Sequence, residues 1–504
     1  MKRNVLAAVL AAGLIFAAGS AAAAELRIGM QEEPDALDPD QGGTYAGRVV
    51  FAGLFEKLVD IDQNLNFVAQ LATAWTWSED NLALTLKLRQ GVLFHDGAPF
   101  NAEAVKYNIE RSKALPESRR KAELSLVTSV DVVDEHTVRL NLSQPFAPLV
   151  ATLSDRAGMM VSPKAAKAGD GTAFARRPVG TGPFRFVERI AQERIVVEKF
   201  ERYWNADAIN IDKVTYLMTP DASVRLAILR SGGIDIMQRV AATDLQQVRD
   251  DPKITLVSAV GLGFSAISIN VGHTGRSNTP LGRNRKVRQA LELAVDRNVI
   301  NNVVYNGAYL AGNQPVASTS PYYIKSLPIR GRDPEAARAL LRQAGFERYA
   351  FTFMVANTVA DRQVAQVVQA MVKDAGFDVK VEALEETTAV NNWIVGNYDA
   401  FLFNWSGRVD PDGNIFPFFS CTGHQNNGKY CDQDVERLLI EARAVGDHDK
   451  RYALYKRAAE IYMASLPHIT LYHPNWFWGV TKKLSGFAPY PDGIVRLQGM
   501  KLQP

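Results

Sequence analysis

Cysteine and histidine are scarce, at two and seven of 504 residues, which leaves too few bridges to staple the chain and few ligands for a metal site. Neither sign of charge dominates: 57 Lys and Arg stand against 54 Asp and Glu. Such a balance excludes an electrostatic nucleic-acid binder, which needs clustered cations along phosphates. The densest basic stretch, Gly282–Arg288, carries Arg283, Arg285, Lys286 and Arg288 and reads as a solvated helix start. Low-complexity tracts and repeats are missing, and beyond the first residues no apolar run approaches the roughly 20 needed to span a bilayer. What is present is 47% hydrophobic and 9% aromatic residues spread along the chain. That composition, at about 100–200 residues per domain, predicts several folded domains with sizeable cores.

The N-terminus carries an addressing pattern. Lys2 and Arg3 precede the apolar run Val5–Ala18, then Ser20 and the small residues Ala21–Ala24. This is the order of a cleavable secretory signal peptide over residues 1–24, with cleavage before Glu25. No Cys follows the cleavage point, so a lipid anchor there is excluded and a soluble exported protein is expected. In an oxidising compartment Cys421 and Cys431, which flank a polar loop, are expected to pair.

Strand and helix patterns alternate. Leu82, Leu84, Leu86 and Leu88 repeat every second residue, as do Val138, Leu140 and Leu142, and Ile267, Ile269 and Val271. Asp333-Pro334 opens a helix whose stripe of Ala337, Leu340, Leu341 and Ala344 ends at Gly345; a second stripe, Val364–Ala375, ends at Gly376. The class is α/β with mixed sheets. Turn-rich joints stand at Arg177–Pro183, Gly272–Gly282 and Asp410–Asn414.

Catalytic constellations are missing. There is no G-x-S-x-G and no H-E-x-x-H, and the nearest histidines, His468 and His473, fall on opposite faces of a strand-like segment. Gly261-Leu262-Gly263-Phe264-Ser265-Ala266 mimics a dinucleotide fingerprint but leads into a strand, so no helix N-terminus would hold a pyrophosphate. Asp410, Asp412 and Asn414 mimic a calcium loop whose sixth and twelfth positions, Ile415 and Cys421, are wrong. The pattern favours a binding protein that uses neither metal nor cofactor.

Several ordered blocks carry a resemblance. They include Leu26–Gly29 with Glu33-Pro34 and Leu37-Asp38-Pro39, then Ala69–Ala72 with Trp75. Leu84–Val92, Phe94-His95-Asp96-Gly97 and Pro99–Glu103 follow, and later Val179–Phe184, Tyr203-Trp204, Val287–Ala290 and Asp410-Pro411-Asp412. Essentially end to end, the chain resembles the bacterial extracellular solute-binding proteins of family 5, the peptide-, opine- and nickel-binding components of ABC importers. The resemblance implies a two-lobed periplasmic-binding-protein clamshell with an extra insert domain. Lobe I would comprise 25–57, 176–268 and 480–504, the insert 58–175 and lobe II 269–479. It implies a monomer in the periplasm that closes by a hinge on a small-molecule or peptide ligand and delivers it to inner-membrane permease subunits. His95-Asp96-Gly97 is then a scaffold turn, in agreement with its Asp-Gly pattern.

Trp405–Asp412 resembles the segment lining the family's ligand cleft. Where dipeptide-binding members carry an Asp for the ligand's ammonium, this chain has Arg408, and the Arg those members use for the ligand carboxylate, near Ala356 or Asn357 here, is missing. A desolvated guanidinium repels an ammonium and favours a carboxylate or phosphate. The expected ligand contacts are therefore Arg408, Trp405, Tyr45, Asn357, Arg48 and Asp410, holding a carboxylate-bearing peptide-like or opine-like solute. Two roles stay open for Arg408, ligand contact or an internal ion pair to Asp410 or Asp412. The rival functions are a nickel or haem scavenger of the same fold and a periplasmic hydrolase.

Overall fold

The computed structural model describes residues 24–169 and 171–503, so the expected signal peptide lies outside the described residues except for its last position. Two large sheets organise the chain. The first has seven strands in the order Ile254–Val260, Asn475–Thr481, Ile236–Gln238, Glu25–Met30, Lys213–Met218, Arg194–Lys199 and Phe184–Ile190. Glu25–Met30 runs parallel to both its neighbours and the other pairings are antiparallel. The second sheet has six strands in the order Leu310–Ala311, His468–His473, Phe264–Ile269, Ala400–Trp405, Tyr349–Ala356 and Phe377–Leu384. A four-stranded antiparallel sheet, Ala72–Trp77, Ala83–Leu88, Thr137–Leu142 and Val127–Asp134, forms the insert around its own core of Leu84, Leu86, Val105, Val138 and Leu140.

The local signals explain these elements. Asp333 caps the helix Pro334–Gln343 by accepting from Ala336 N at 2.9 Å, and Gly345 ends it at φ 92°. Leu84, Leu86 and Leu88 turn inward along one strand while Thr85 and Lys87 turn outward. Every residue of Phe264–Ile269 is buried, so the alternation read at Ile267 and Ile269 marks a central strand covered on both faces.

Two expectations are corrected. Phe264–Ile269, placed mostly in lobe I, pairs within the second sheet, and Asn475–Thr481, placed mostly in lobe II, pairs within the first. The chain therefore crosses between the halves at Gly261-Leu262-Gly263 and again at Pro474. A Cβ on Gly261 would lie 2.4 Å from the Pro474 carbonyl oxygen, and one on Gly263 only 1.9 Å from that of Trp405. Close backbone approach, and not a cofactor, is what these glycines serve. Arg288 is also not solvated: it is buried and donates to the carbonyls of Ser465, Leu281 and Gly282 at 2.7–3.1 Å.

Cys421 and Cys431 form the expected disulfide. A loop this short contributes about 2.5–3 kcal/mol in the chain-entropy account. Replacing both with Ser should lower the unfolding free energy by that amount in urea melts; an unchanged midpoint would show the bridge idle.

Glu56 is buried against Tyr203 and Trp204. It is 1% exposed and accepts from the Tyr203 hydroxyl at 2.7 Å and Trp204 Nε1 at 2.8 Å. Burial outweighs these donors and pushes its pKa from 4.5 up to about 7. Between those values the folded chain holds a proton that the unfolded chain has lost, so stability falls as pH rises, by up to about 1.4 kcal/mol per unit. Glu56→Gln should flatten that part of a stability-against-pH curve; the same slope in the variant would remove Glu56 as its source.

Candidate functional site

Thr44 caps the helix Tyr45–Leu54 by accepting from Gly47 N, and the first turn sets Tyr45 and Arg48 three residues apart on one face. Tyr45 stacks on Trp476, with ring centroids 4.7 Å apart and planes at 13°, and its hydroxyl donates to the Gly493 carbonyl. The Arg239 guanidinium lies over both rings, 4.7 Å from Tyr45 and 5.4 Å from Trp476. Arg48 Nε donates to Asp155 Oδ1 at 3.0 Å. All of these groups belong to the first half and its insert.

From the second half, Ala400–Trp405 delivers Trp405 to the mouth of a loop. Asn414 Oδ1 accepts from Trp405 Nε1 at 3.0 Å and from Arg408 N at 2.9 Å, folding that loop onto the helix Asp412–Phe419. Arg408 is thereby stacked on Trp405, 4.5 Å from the ring centroid, with Nη1 donating to the Gly407 carbonyl at 2.8 Å. Its Nε stands 3.3 Å from Asp155 Oδ2. One carboxylate thus joins an arginine from each half. Nearby, Ala147 N donates to the Arg443 carbonyl at 2.8 Å, and Arg443 lies over Phe146 and Phe416. The two halves meet closed along this seam.

Burial would raise the Asp155 pKa, but Arg48, Arg408, Arg156 and Arg120 overcome it and hold the carboxyl well below the usual range. Asp155 stays ionised. At Arg156 burial and the neighbouring cations act together, and they too push its pKa well below the ordinary arginine value. The seam is therefore electropositive and poorly neutralised, and it suits an anion.

The expected residues are partly assembled here. Arg48, Arg408, Trp405 and Tyr45 lie along the seam. Neither Asp410 nor Asp412 pairs with Arg408, because Arg451 takes Asp410 at 2.7 and 2.5 Å and Arg443 lies 3.2 Å from Asp412. Asp410 is accordingly a loop brace, and its expected ligand contact is withdrawn. Asn357 lies beyond the end of Tyr349–Ala356, with Oδ1 accepting from Arg362 at 2.8 Å and N donating to Leu384 at 2.7 Å. Those bonds tie it to its own half and not to the arginine seam.

Sequence reasoning missed Asp155, Arg156, Arg120, Arg239 and Trp476, which no local motif marks. His95 does serve the scaffold: Nε2 pairs with the Gly182 carbonyl at 3.0 Å, and Nδ1 accepts from Gly180 N at 3.2 Å. His468 packs among Phe403, Phe418 and Phe419, whereas His473 bonds the Gly263 carbonyl at 2.8 Å, so the two imidazoles face separate surroundings.

Comparison with known proteins gives one consistent result. The description "Bacterial extracellular solute-binding proteins, family 5 Middle" matches residues 66–426. The chain is 29% identical to the dipeptide-binding protein of Escherichia coli (strain K12), covering 93% of each. It is also 29% identical to the glutathione-binding protein GsiB of Pectobacterium atrosepticum, covering 92% of each. A crystal structure of the dipeptide binding protein from Pseudoalteromonas sp. SM9913 in complex with Met-Leu superposes with a TM-score of 0.86 at 23% identity, over 95% of this chain and all of that one.

The shared carboxylate gives a direct test. Asp155→Asn leaves buried guanidiniums facing one another and should cost about 3–5 kcal/mol in denaturant unfolding. Adding Arg408→Met should recover part of that loss; strictly additive costs would show that the two residues do not interact.

Proposed function

We propose that this chain, which belongs to the bacterial extracellular solute-binding proteins of family 5, captures a carboxylate-bearing peptide-like or opine-like solute between its two halves. It is a substrate-binding protein of an ABC importer, and its relatives are binding proteins and not enzymes. The observation that carries the ligand class is Arg408. It is desolvated, stacked on Trp405 and placed at the seam opposite Asp155 and Arg48. A fixed cation in a closing cleft attracts a carboxylate and repels an ammonium, which favours an acidic solute over a simple dipeptide bound amino-end first.

Hinge movement at Gly261–Gly263 and Pro474 would open the seam, admit the solute and close on it. In this reading the receptor is a periplasmic monomer, released by cleavage before Glu25 and free of a lipid anchor, that hands its solute to permease subunits. Among the described residues no helix is long and apolar enough to cross a membrane.

A thermal-shift screen of residues 25–504 against dipeptides, glutathione, opines, organic acids and nickel tests the proposal. A ligand at a thousandfold its dissociation constant adds about 4 kcal/mol to the folded state, enough to move the midpoint by several degrees. An acidic compound should give the shift and Arg408→Ala should abolish it. A shift from nickel alone, or from neutral and cationic peptides alone, would overturn the ligand class.

A further inference from the structure

The charges along the seam do not balance. Arg48, Arg120 and Arg156 are 3–6% exposed, and Arg408 joins them from the other half. Against these four guanidiniums stand two carboxylates: Asp155, which meets Arg48, Arg408 and Arg156 at 3.0, 3.3 and 3.9 Å, and Glu123, which meets Arg120 at 2.7 Å. The neighbouring ions supply no correction. Arg443 is paired with Asp412, Arg451 with Asp410, and Lys57 and Arg496 with Asp60 and Asp492. His424, which also faces the cluster, is held towards its neutral form by burial and by Arg408, Arg120 and Arg443.

Donors are left over as well as charge. Arg48 Nη1, Arg120 Nε and Arg156 Nε are buried without a hydrogen-bond partner among the described residues, against one unpartnered acceptor in the cluster, Asp155 Oδ2. A water or a carbonyl satisfies an idle N–H, but a guanidinium keeps its proton, so the excess charge is relieved only by an anion. The small polar cavity beside Arg48, about 20 Å³ and lined also by Lys57, Asp60, Asp492 and Arg496, has room for about one water and no solute.

We infer that the captured solute carries two negative charges on the end that meets this cluster, as a phosphoryl group or a pair of carboxylates. This rests on the proposed acidic-solute reading and narrows it. A monocarboxylate would leave one buried guanidinium uncompensated on closure, whereas a dianion neutralises the set and offers enough oxygens for the idle N–H groups. Arg156 and Arg120 then determine specificity beside Arg408: Arg408 selects an anion and the other two count its charge.

Isothermal titration calorimetry on residues 25–504 tests the inference with two matched pairs, Ala-Asp against Ala-Asn and Ala-phosphoserine against Ala-Ser. The more acidic member of at least one pair should bind about tenfold tighter or more, one charge-assisted contact's worth. The responding pair distinguishes two carboxylates from a phosphoryl group. The ratio should fall towards one in Arg156→Gln and survive in Arg156→Lys, which retains the charge. Equal affinity within both pairs, with binding still abolished by Arg408→Ala, would overturn the dianion and leave the acidic-solute reading standing. Failure of all four peptides to bind while a singly charged acid does would overturn it too. The wild-type comparison needs no variant to fold.

Discussion

Asp155 is the hinge of the electrostatics. Its carboxylate lies in the insert, is buried against the first half and receives Arg48 from the helix Tyr45–Leu54 and Arg408 from the far half. Opening the seam would return Arg408 to water and leave Asp155 to Arg48 and Arg156. Desolvation and pairing oppose each other in such a contact, so closure rests on a small difference between large terms. A third party supplying negative charge shifts that difference most. On the proposed reading, ligand capture and domain closure are the same electrostatic event.

The proposed hinge is a matter of backbone clearance. Two strands cross between the halves side by side, Ile254–Val260 into Phe264–Ile269 and His468–His473 into Asn475–Thr481. They approach too closely for a side chain at Gly261, and Gly263 is pressed in the same way against the Trp405 carbonyl. Glycine there serves contact and also freedom, because a residue without Cβ absorbs backbone rotation at little cost. A pattern that imitates a nucleotide-binding turn is explained by mechanics alone.

The fold was legible wherever a signal was local. Asp333-Pro334 and Gly345 bound one helix, Leu84–Leu88 alternates as a strand should, and the paired cysteines close a short loop. Sheet membership at the crossings was not legible, because Phe264–Ile269 and Asn475–Thr481 have the same apolar character whichever sheet they join. Arg288 misled for a related reason: its neighbours Arg283, Arg285 and Lys286 are exposed, and only the tertiary fold sets it beneath the Ser465 carbonyl. The site divided similarly. Arg408 stood out because it replaces an acid in a recognisable segment. Its partner Asp155 and the charges at Arg120 and Arg156 come from a distant part of the chain with no motif, so only folding brings them together.

The identity of the cation at 408 matters as much as its sign. A lysine would offer a mobile, strongly hydrated ammonium with no flat face; a guanidinium lies flat on an indole. Trp405 supplies that surface, and Asn414 fixes both the indole N–H and the Arg408 backbone. The charge is therefore held in place before any solute arrives, so binding need not order it. If Arg408 meets the solute as proposed, discrimination follows from the same rigidity. A solute presenting an ammonium to this position meets a cation that cannot move away or lose its proton, alongside Arg48 and Arg156, and the repulsion rejects it more effectively than a merely weaker contact would.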